Sequence, residues 1–252
     1  ILLFVLLFFI TAILYAAVGF GGGSTYNALL IIADIDYWLI PIIALICNLI
    51  VVTGNTIQYQ RKKLVPWSFA IPIISVSIPA AFFAGTLTIS EPIFVVILGI
   101  SLLFSGLAMI IGHSEVEKPR EWILSRSGIL MNAIIAVILG LIAGFVGIGG
   151  GILFAPLLHL QKCLPSKQIA AFASVFIFFN SIAGLSGQLT KQTTSINEMI
   201  LTDYAWFFLA VLLGGQIGSR LGLKLLPGIL IRRLTGALVI YVAIRMLLIS
   251  SN

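Results

Sequence analysis

Two runs, Gly19-Phe-Gly-Gly-Gly23 and Gly147-Ile-Gly-Gly-Gly151, are where this chain could do chemistry. Each closes a long apolar stretch and opens a short one. Successive glycines cost a helix about 1 kcal/mol each relative to alanine. They supply conformational freedom instead, since positive φ is open to them and no side chain blocks close approach. A helix that restarts after such a break presents orphan N–H groups and about half a positive charge. Left unpaired in an apolar interior, each donor costs about 1–3 kcal/mol, and an anion is a natural acceptor. Ser24, Thr25 and Asn27 follow the first run, whereas the second short helix should start near Ile152 with no Ser or Thr cap. Tight helix packing is the competing use of glycine in a membrane. Two runs at matching positions, each followed by a half-length helix, favour an ion site. Its candidate ligands are Gly21, Gly22, Gly23, Ser24 and Thr25 from the first run, with Gly149, Gly150 and Gly151 from the second.

Polar side chains within apolar stretches form the second group. Asn48, Asn55, Gln58, Asn180, Ser181, Gln188 and Gln216 can donate to an oxyanion without the cost of a buried charge. Their ordinary use is interhelical hydrogen bonding, worth roughly 0.6 kcal/mol each. Asn48 and Asn180 stand out because they lie in corresponding spans of the two halves. The cluster Gly214-Gly-Gln-Ile-Gly-Ser219 fits close packing and path lining equally well. Ionisable groups are almost absent from the interior: Glu91 adjoins Pro92 at a span end, His113 and His159 also sit at span ends, and Arg245 snorkels. Ser24 or Ser174 could serve as a nucleophile, but no base stands in a suitable setting. No His-Glu-x-x-His pattern occurs, and no cofactor or metal site is expected.

The elements that position these residues follow from composition. Of 252 residues, 60% are hydrophobic and 9% charged, whereas soluble domains carry about a quarter charged residues. The outer surface must therefore face lipid. That excludes a nucleic-acid-binding module despite the net charge of +6, and two cysteines, Cys47 and Cys163, make no disulfide scaffold. A span needs about 20 apolar residues, and backbone groups in lipid require helices. Helices are expected over about 1–18, 38–60, 66–89, 92–112, 128–146, 168–189, 202–223 and 227–249, with short pieces at 24–33 and 152–160.

Pro92 and Pro227 each open the last helix of a half, so the chain reads as a first transmembrane repeat over 1–112, a charged cytoplasmic linker over 113–127 and a second repeat over 128–252. Basic residues mark the cytoplasmic side. If each glycine run is a hairpin leaving on the side it entered, Arg61, Lys62, Lys63, Lys118, Arg120, Arg126, Lys162, Lys167, Arg220, Lys224, Arg232 and Arg233 fall inside, while Lys191, Asp34, Asp36, Glu91, Glu198 and Asp203 fall outside. The expected fold class is an all-α polytopic membrane protein with two inverted repeats, each a broken or re-entrant Gly-rich helix hairpin followed by three spans. Whether the hairpins re-enter or fully cross is left open, because 1–18 and 128–146 are long enough to span.

With its doubled glycine motif, Asn180-Ser-Ile-Ala-Gly-Leu-Ser-Gly-Gln188 and Gly214-Gly-Gln-Ile-Gly-Ser-Arg-Leu-Gly222, the chain resembles the sulfite exporter TauE/SafE family of transmembrane anion permeases over essentially its whole length. It departs from the family pattern at Gln188, where histidine is expected, and at Val52-Thr-Gly-Asn-Thr-Ile-Gln58. The resemblance implies a multi-pass protein of the bacterial cytoplasmic membrane that carries a small, sulfur-containing anion such as sulfite or a sulfonate. The expected function is thus a permease, not an enzyme, binding its anion at the midplane through half-helix N-termini and Asn, Ser and Thr side chains, Gln188 among the ligands. An anion channel is the alternative, and an intramembrane enzyme a weaker one. The partners are the anion and the lipid bilayer, with a homo-oligomer open as an assembly.

Overall fold

The computed structural model describes residues 2–110, 120–162, 164–191 and 203–222, with isolated positions from 233 onward. Nine α-helices cover most of them: α1 Leu2–Ala17, α2 Gly23–Ile32, α3 Ile40–Arg61, α4 Trp67–Thr86, α5 Glu91–Ile110, α6 Arg126–Val146, α7 Gly151–Gln161, α8 Ser166–Leu189 and α9 Ala205–Gly222. A 3-10 turn at Glu121–Leu124 leads into α6, whose N-terminus is capped by Ser125, with Oγ accepting from the Gly128 N–H at 3.1 Å. No strand occurs among the described residues. The long apolar stretches up to residue 223 are helical, with ends displaced by about a turn or less. Most of the 227–249 stretch, residues 113–119 of the linker, Cys163, Glu198 and Arg245 lie outside the described residues.

Among the described residues, four helices (α3, α4, α6 and α8) are long and apolar enough to cross a membrane. Their outward faces carry large bare side chains: Phe83 is 63% exposed and Leu130 64%. A row of this kind is an aggregation liability in water and an ordinary contact surface in lipid. The protein is a multi-pass membrane protein.

Helix pairing is governed by glycine seams. α1 lies along α9, and α4 lies along α6 and α8. On α6, a Cβ at Gly140 would stand 2.7 Å from the Ser77 carbonyl oxygen, and one at Gly144 would collide with the Ala81 carbonyl. On α9, a Cβ at Gly214 would stand 2.5 Å from the Phe9 carbonyl oxygen, and one at Gly218 would collide with the Ile13 carbonyl. Gly-x-x-x-Gly spacing on both helices lets backbones touch, which replaces the hydrophobic drive that lipid removes. Gly214 and Gly218 are thus packing residues. Gly218→Leu and Gly144→Leu should each lower thermal stability in detergent by an amount typical of an overpacked interface, about 1–3 kcal/mol or more. Gly215→Ala should be nearly neutral, because a Cβ there meets Val51 at an ordinary 3.4 Å.

α3 and α8 occupy the centre and pack on one another. Pro41 at the start of α3 and Gln188 at the end of α8 line one cavity, so these two helices run in opposite directions. Behind them, Phe154 of α7 meets Phe172 and Phe176 of α8 edge-on at 5.1 and 5.2 Å, and this aromatic wedge fixes the half-length helix against the central one.

Candidate functional site

Both glycine runs break their helices. α1 stops at Ala17, Gly19 and Gly22 adopt φ of +88° and +92°, and α2 restarts at Gly23 with Gly22 as its N-cap. α6 is closed by Gly147 at φ +78°; Gly149 and Gly150 follow at +76° and +73°, and α7 restarts at Gly151. These are left-handed conformations that side-chain-bearing residues rarely adopt.

The two breaks meet at Asn48 of α3. Its Oδ1 accepts from the Gly23 N–H at 2.8 Å, and its Nδ2 donates to the Gly147 carbonyl at 3.3 Å. One amide therefore caps the restart of α2 and satisfies a terminal carbonyl of α6, both of which lack intrahelical partners. Asn27 Nδ2 donates to the Val146 carbonyl at 2.6 Å, and Ser174 Oγ of α8 donates to the Gly19 carbonyl at 2.5 Å. Tyr15 of α1 places its hydroxyl 3.0 Å from Ser24 Oγ and 2.8 Å from Thr25 Oγ1. The crossing is buried, polar and without a charged side chain: Ser24, Thr25, Asn27, Asn48 and Ser174 are each at most 3% exposed.

Gly21, Gly23 and Gly149 are small because Asn48 occupies the space. A Cβ at Gly21 or Gly23 would overlap its amide, and one at Gly149 would stand 3.3 Å from its Nδ2. That Gly149 Cβ would also meet Ile177 Cγ2 at 2.7 Å and Ser181 Oγ at 2.9 Å. Ile177 thus takes, at the second run, the place of Asn48 at the first. Ser181, a turn further along α8, is fully buried and its Oγ has no hydrogen-bond partner. Of the polar candidates in this span, Ser181 rather than Asn180 stands beside the second run.

The remaining sequence candidates lie apart. Asn180 points across the α4–α8 interface, donating to Ser77 Oγ at 3.0 Å and to the Phe176 carbonyl at 2.8 Å. Gly22 faces the Tyr26 ring and Gly150 the Leu139 carbonyl and Phe176 ring, while Gly151 packs on Ile177 and the Ala173 carbonyl. Gln188 donates from Nε2 to the Gly144 carbonyl at 2.7 Å and accepts from Lys191 Nζ at 3.1 Å. It lines a cavity of about 70 Å³ together with Pro41, Phe145 and Lys191. Pro41 also packs directly on Gly147, so this cavity abuts the crossing. Burial holds the Lys191 ammonium below the usual lysine range. Burial raises the Tyr204 phenol, and the carboxylates of Asp203 and Asp36 add to the shift. Among the described residues, no group of His, Cys, Asp and Glu is arranged to hold a metal ion.

The sulfite exporter TauE/SafE family model matches residues 3–246. A probable membrane transporter protein of Sinorhizobium fredii is 28% identical over 242 residues, covering 95% of each chain. One from Methanocaldococcus jannaschii is 30% identical over 236 residues, covering 88% of this chain and 85% of its own. Another, from Bacillus subtilis, is 24% identical, covering 82% and 83%. No solved structure matches the chain. A doubled helix break clasped by one buried amide, in a bundle with almost no internal charge and a family match from end to end, has one reading: the chain belongs to the sulfite exporter TauE/SafE family and is a membrane transporter, not an enzyme.

Proposed function

We propose that the protein carries a small anion, of the sulfite or sulfonate class, across the bacterial cytoplasmic membrane, binding it where the two glycine breaks cross. The observation that carries this reading is Asn48, whose single amide touches both breaks while the unpartnered Ser181 hydroxyl stands beside the second. Backbone N–H groups at a helix restart, a neutral amide and a hydroxyl suit an oxyanion: they offer donors without a fixed counter-charge that would trap it. Ser24 and Ser174 are engaged by Tyr15 and by backbone carbonyls, which suits positioning.

Opposed directions of α3 and α8, and the exchange-related pairs α1–α9 and α6–α4, support reading 1–112 and 128–252 as inverted repeats. Repeats of that kind let two half-helix restarts meet at the bilayer midplane and rock about a fixed site. The test is uptake of radiolabelled sulfite and of a small sulfonate into proteoliposomes. Saturable uptake with counterflow is expected. Linear, voltage-driven current would mean a channel, and no flux of any small anion would overturn the reading.

A further inference from the structure

The cavity beside the crossing has features that the crossing lacks. Among the described residues its lining includes Tyr37, Trp38, Pro41, Phe94 and Phe145, and its single cation is Lys191. No carboxylate is among the described residues lining it; Asp34 and Asp36 share the 33–39 connection but do not line the cavity. An ammonium has three N–H donors. The Leu87 carbonyl and Gln188 Oε1, both neutral, accept from Lys191 Nζ. They orient the ammonium without cancelling its charge. Gln188 is itself pinned, because its Nε2 is engaged by the Gly144 carbonyl on α6.

We infer that this cavity is an outer docking site for a small, singly charged oxyanion, held by Lys191 and walled by the four aromatic rings, one step before the crossing. The inference rests on the proposed anion transport for its purpose, but its binding test does not. A space of about 70 Å³ accommodates a few waters or one compact oxyanion. A lone cation compensates one negative charge; a second charge would face aromatic walls and lose its hydration without a partner. Pro41 separates the docked anion from Gly147, so a modest shift of α3 against α6 would open the way inward.

The experiment uses Trp38 as reporter in the purified full chain. Methanesulfonate, a monoanion with one methyl group, should change tryptophan fluorescence saturably, and Trp38→Phe should remove that response. A hydrogen bond to a charged group contributes about 1.5–3 kcal/mol, so Lys191→Gln should weaken binding by about tenfold to a hundredfold. Lys191→Arg should stay much closer to the parent. Unchanged binding in Lys191→Gln would overturn the inference. So would an equal response to dimethyl sulfone, an uncharged molecule of similar shape, a comparison that needs no variant to fold. Sulfate binding as tightly as methanesulfonate would overturn the single-charge selectivity. In flux assays Lys191→Gln should raise KM by the same factor and spare kcat. Unchanged flux kinetics with lost docking leaves anion transport standing and removes the cavity from its route. Docking that persists in a protein without flux does the reverse.

Discussion

Asn48→Leu is expected to abolish anion flux and to lower thermal stability. Leucine keeps the branching of asparagine at Cγ with two methyl groups in place of the amide, so the site stays filled. Two groups lose their only observed side-chain partner: the Gly23 N–H and the Gly147 carbonyl. Each buried polar group left unpaired costs about 1–3 kcal/mol, and α3 here is fully buried at Asn48, so water cannot substitute. Asn48→Asp keeps one of the two contacts. Its carboxylate still accepts from Gly23 and gains from the positive end of α2, but as a buried charge without a counter-ion it also lowers Tm. The donor to Gly147 is gone and a negative charge now stands where the anion should be. Flux should therefore drop by about tenfold to a hundredfold, the loss expected when a charged hydrogen bond is removed. A folded Asn48→Asp protein with parental sulfite or sulfonate flux would remove Asn48 from the binding site.

Much of this arrangement was legible because lipid is an exacting solvent. Backbone groups that cannot reach water force long apolar runs into helices, so α3, α4, α6 and α8 could be located from composition along the chain. The glycine runs announced breaks because side-chain-bearing residues rarely adopt positive φ such as that found at Gly22 and Gly150. The rotation of α8 was not legible. Asn48 and Asn180 occupy corresponding spans, yet the face of α8 toward the breaks is the one carrying Ser174, Ile177 and Ser181, which touch Gly19 and Gly149. Positions four apart share a helix face, and Asn180 falls off that line toward Ser77 of α4. Its Nδ2 also satisfies itself locally on the Phe176 carbonyl, four residues back. A polar residue in an apolar helix advertises a partner without saying which side the partner is on. The same limit applied to the Gly214–Ser219 cluster, where only the contact with Phe9 and Ile13 of α1 distinguishes a packing seam from a path. The hairpin topology puts Lys191 outside, against the charge bias; that it lines an aromatic cavity depends on the meeting of three connections distant in sequence.

Gly22→Val and Gly150→Val are expected to insert and purify like the parent and to show no measurable flux. Both positions hold left-handed backbone, at φ +92° and +73°, and a non-glycine residue there costs about 1–2 kcal/mol before any contact is counted. A β-branched residue is the worst choice for such a φ. Contacts add to this. A Cβ at Gly22 would stand 2.9 Å from the Tyr26 ring, which is fully buried and stacked on Phe8 at 4.9 Å. One at Gly150 would stand 3.0 Å from both the Leu139 carbonyl and the Phe176 ring. Neither neighbour is the free end of a flexible chain, so the strain is relieved by moving the start of α2 or α7. Insertion should survive, since α3, α4, α6 and α8 keep their own sequences and are each long and apolar enough to cross a membrane. What moves is the geometry of the helix restarts, and displacements of about 1 Å at a binding constellation suffice to cost about a hundredfold in rate. Gly22→Ala, with the same φ problem but less bulk, should retain more flux than Gly22→Val. The measurement is sulfite and sulfonate uptake in proteoliposomes, with detergent chromatography and a thermal melt as the folding control. If both valine variants transported at the parental rate while folded, the helix restarts would have no part in binding the anion, and the glycine runs would be packing devices like those of α6 and α9.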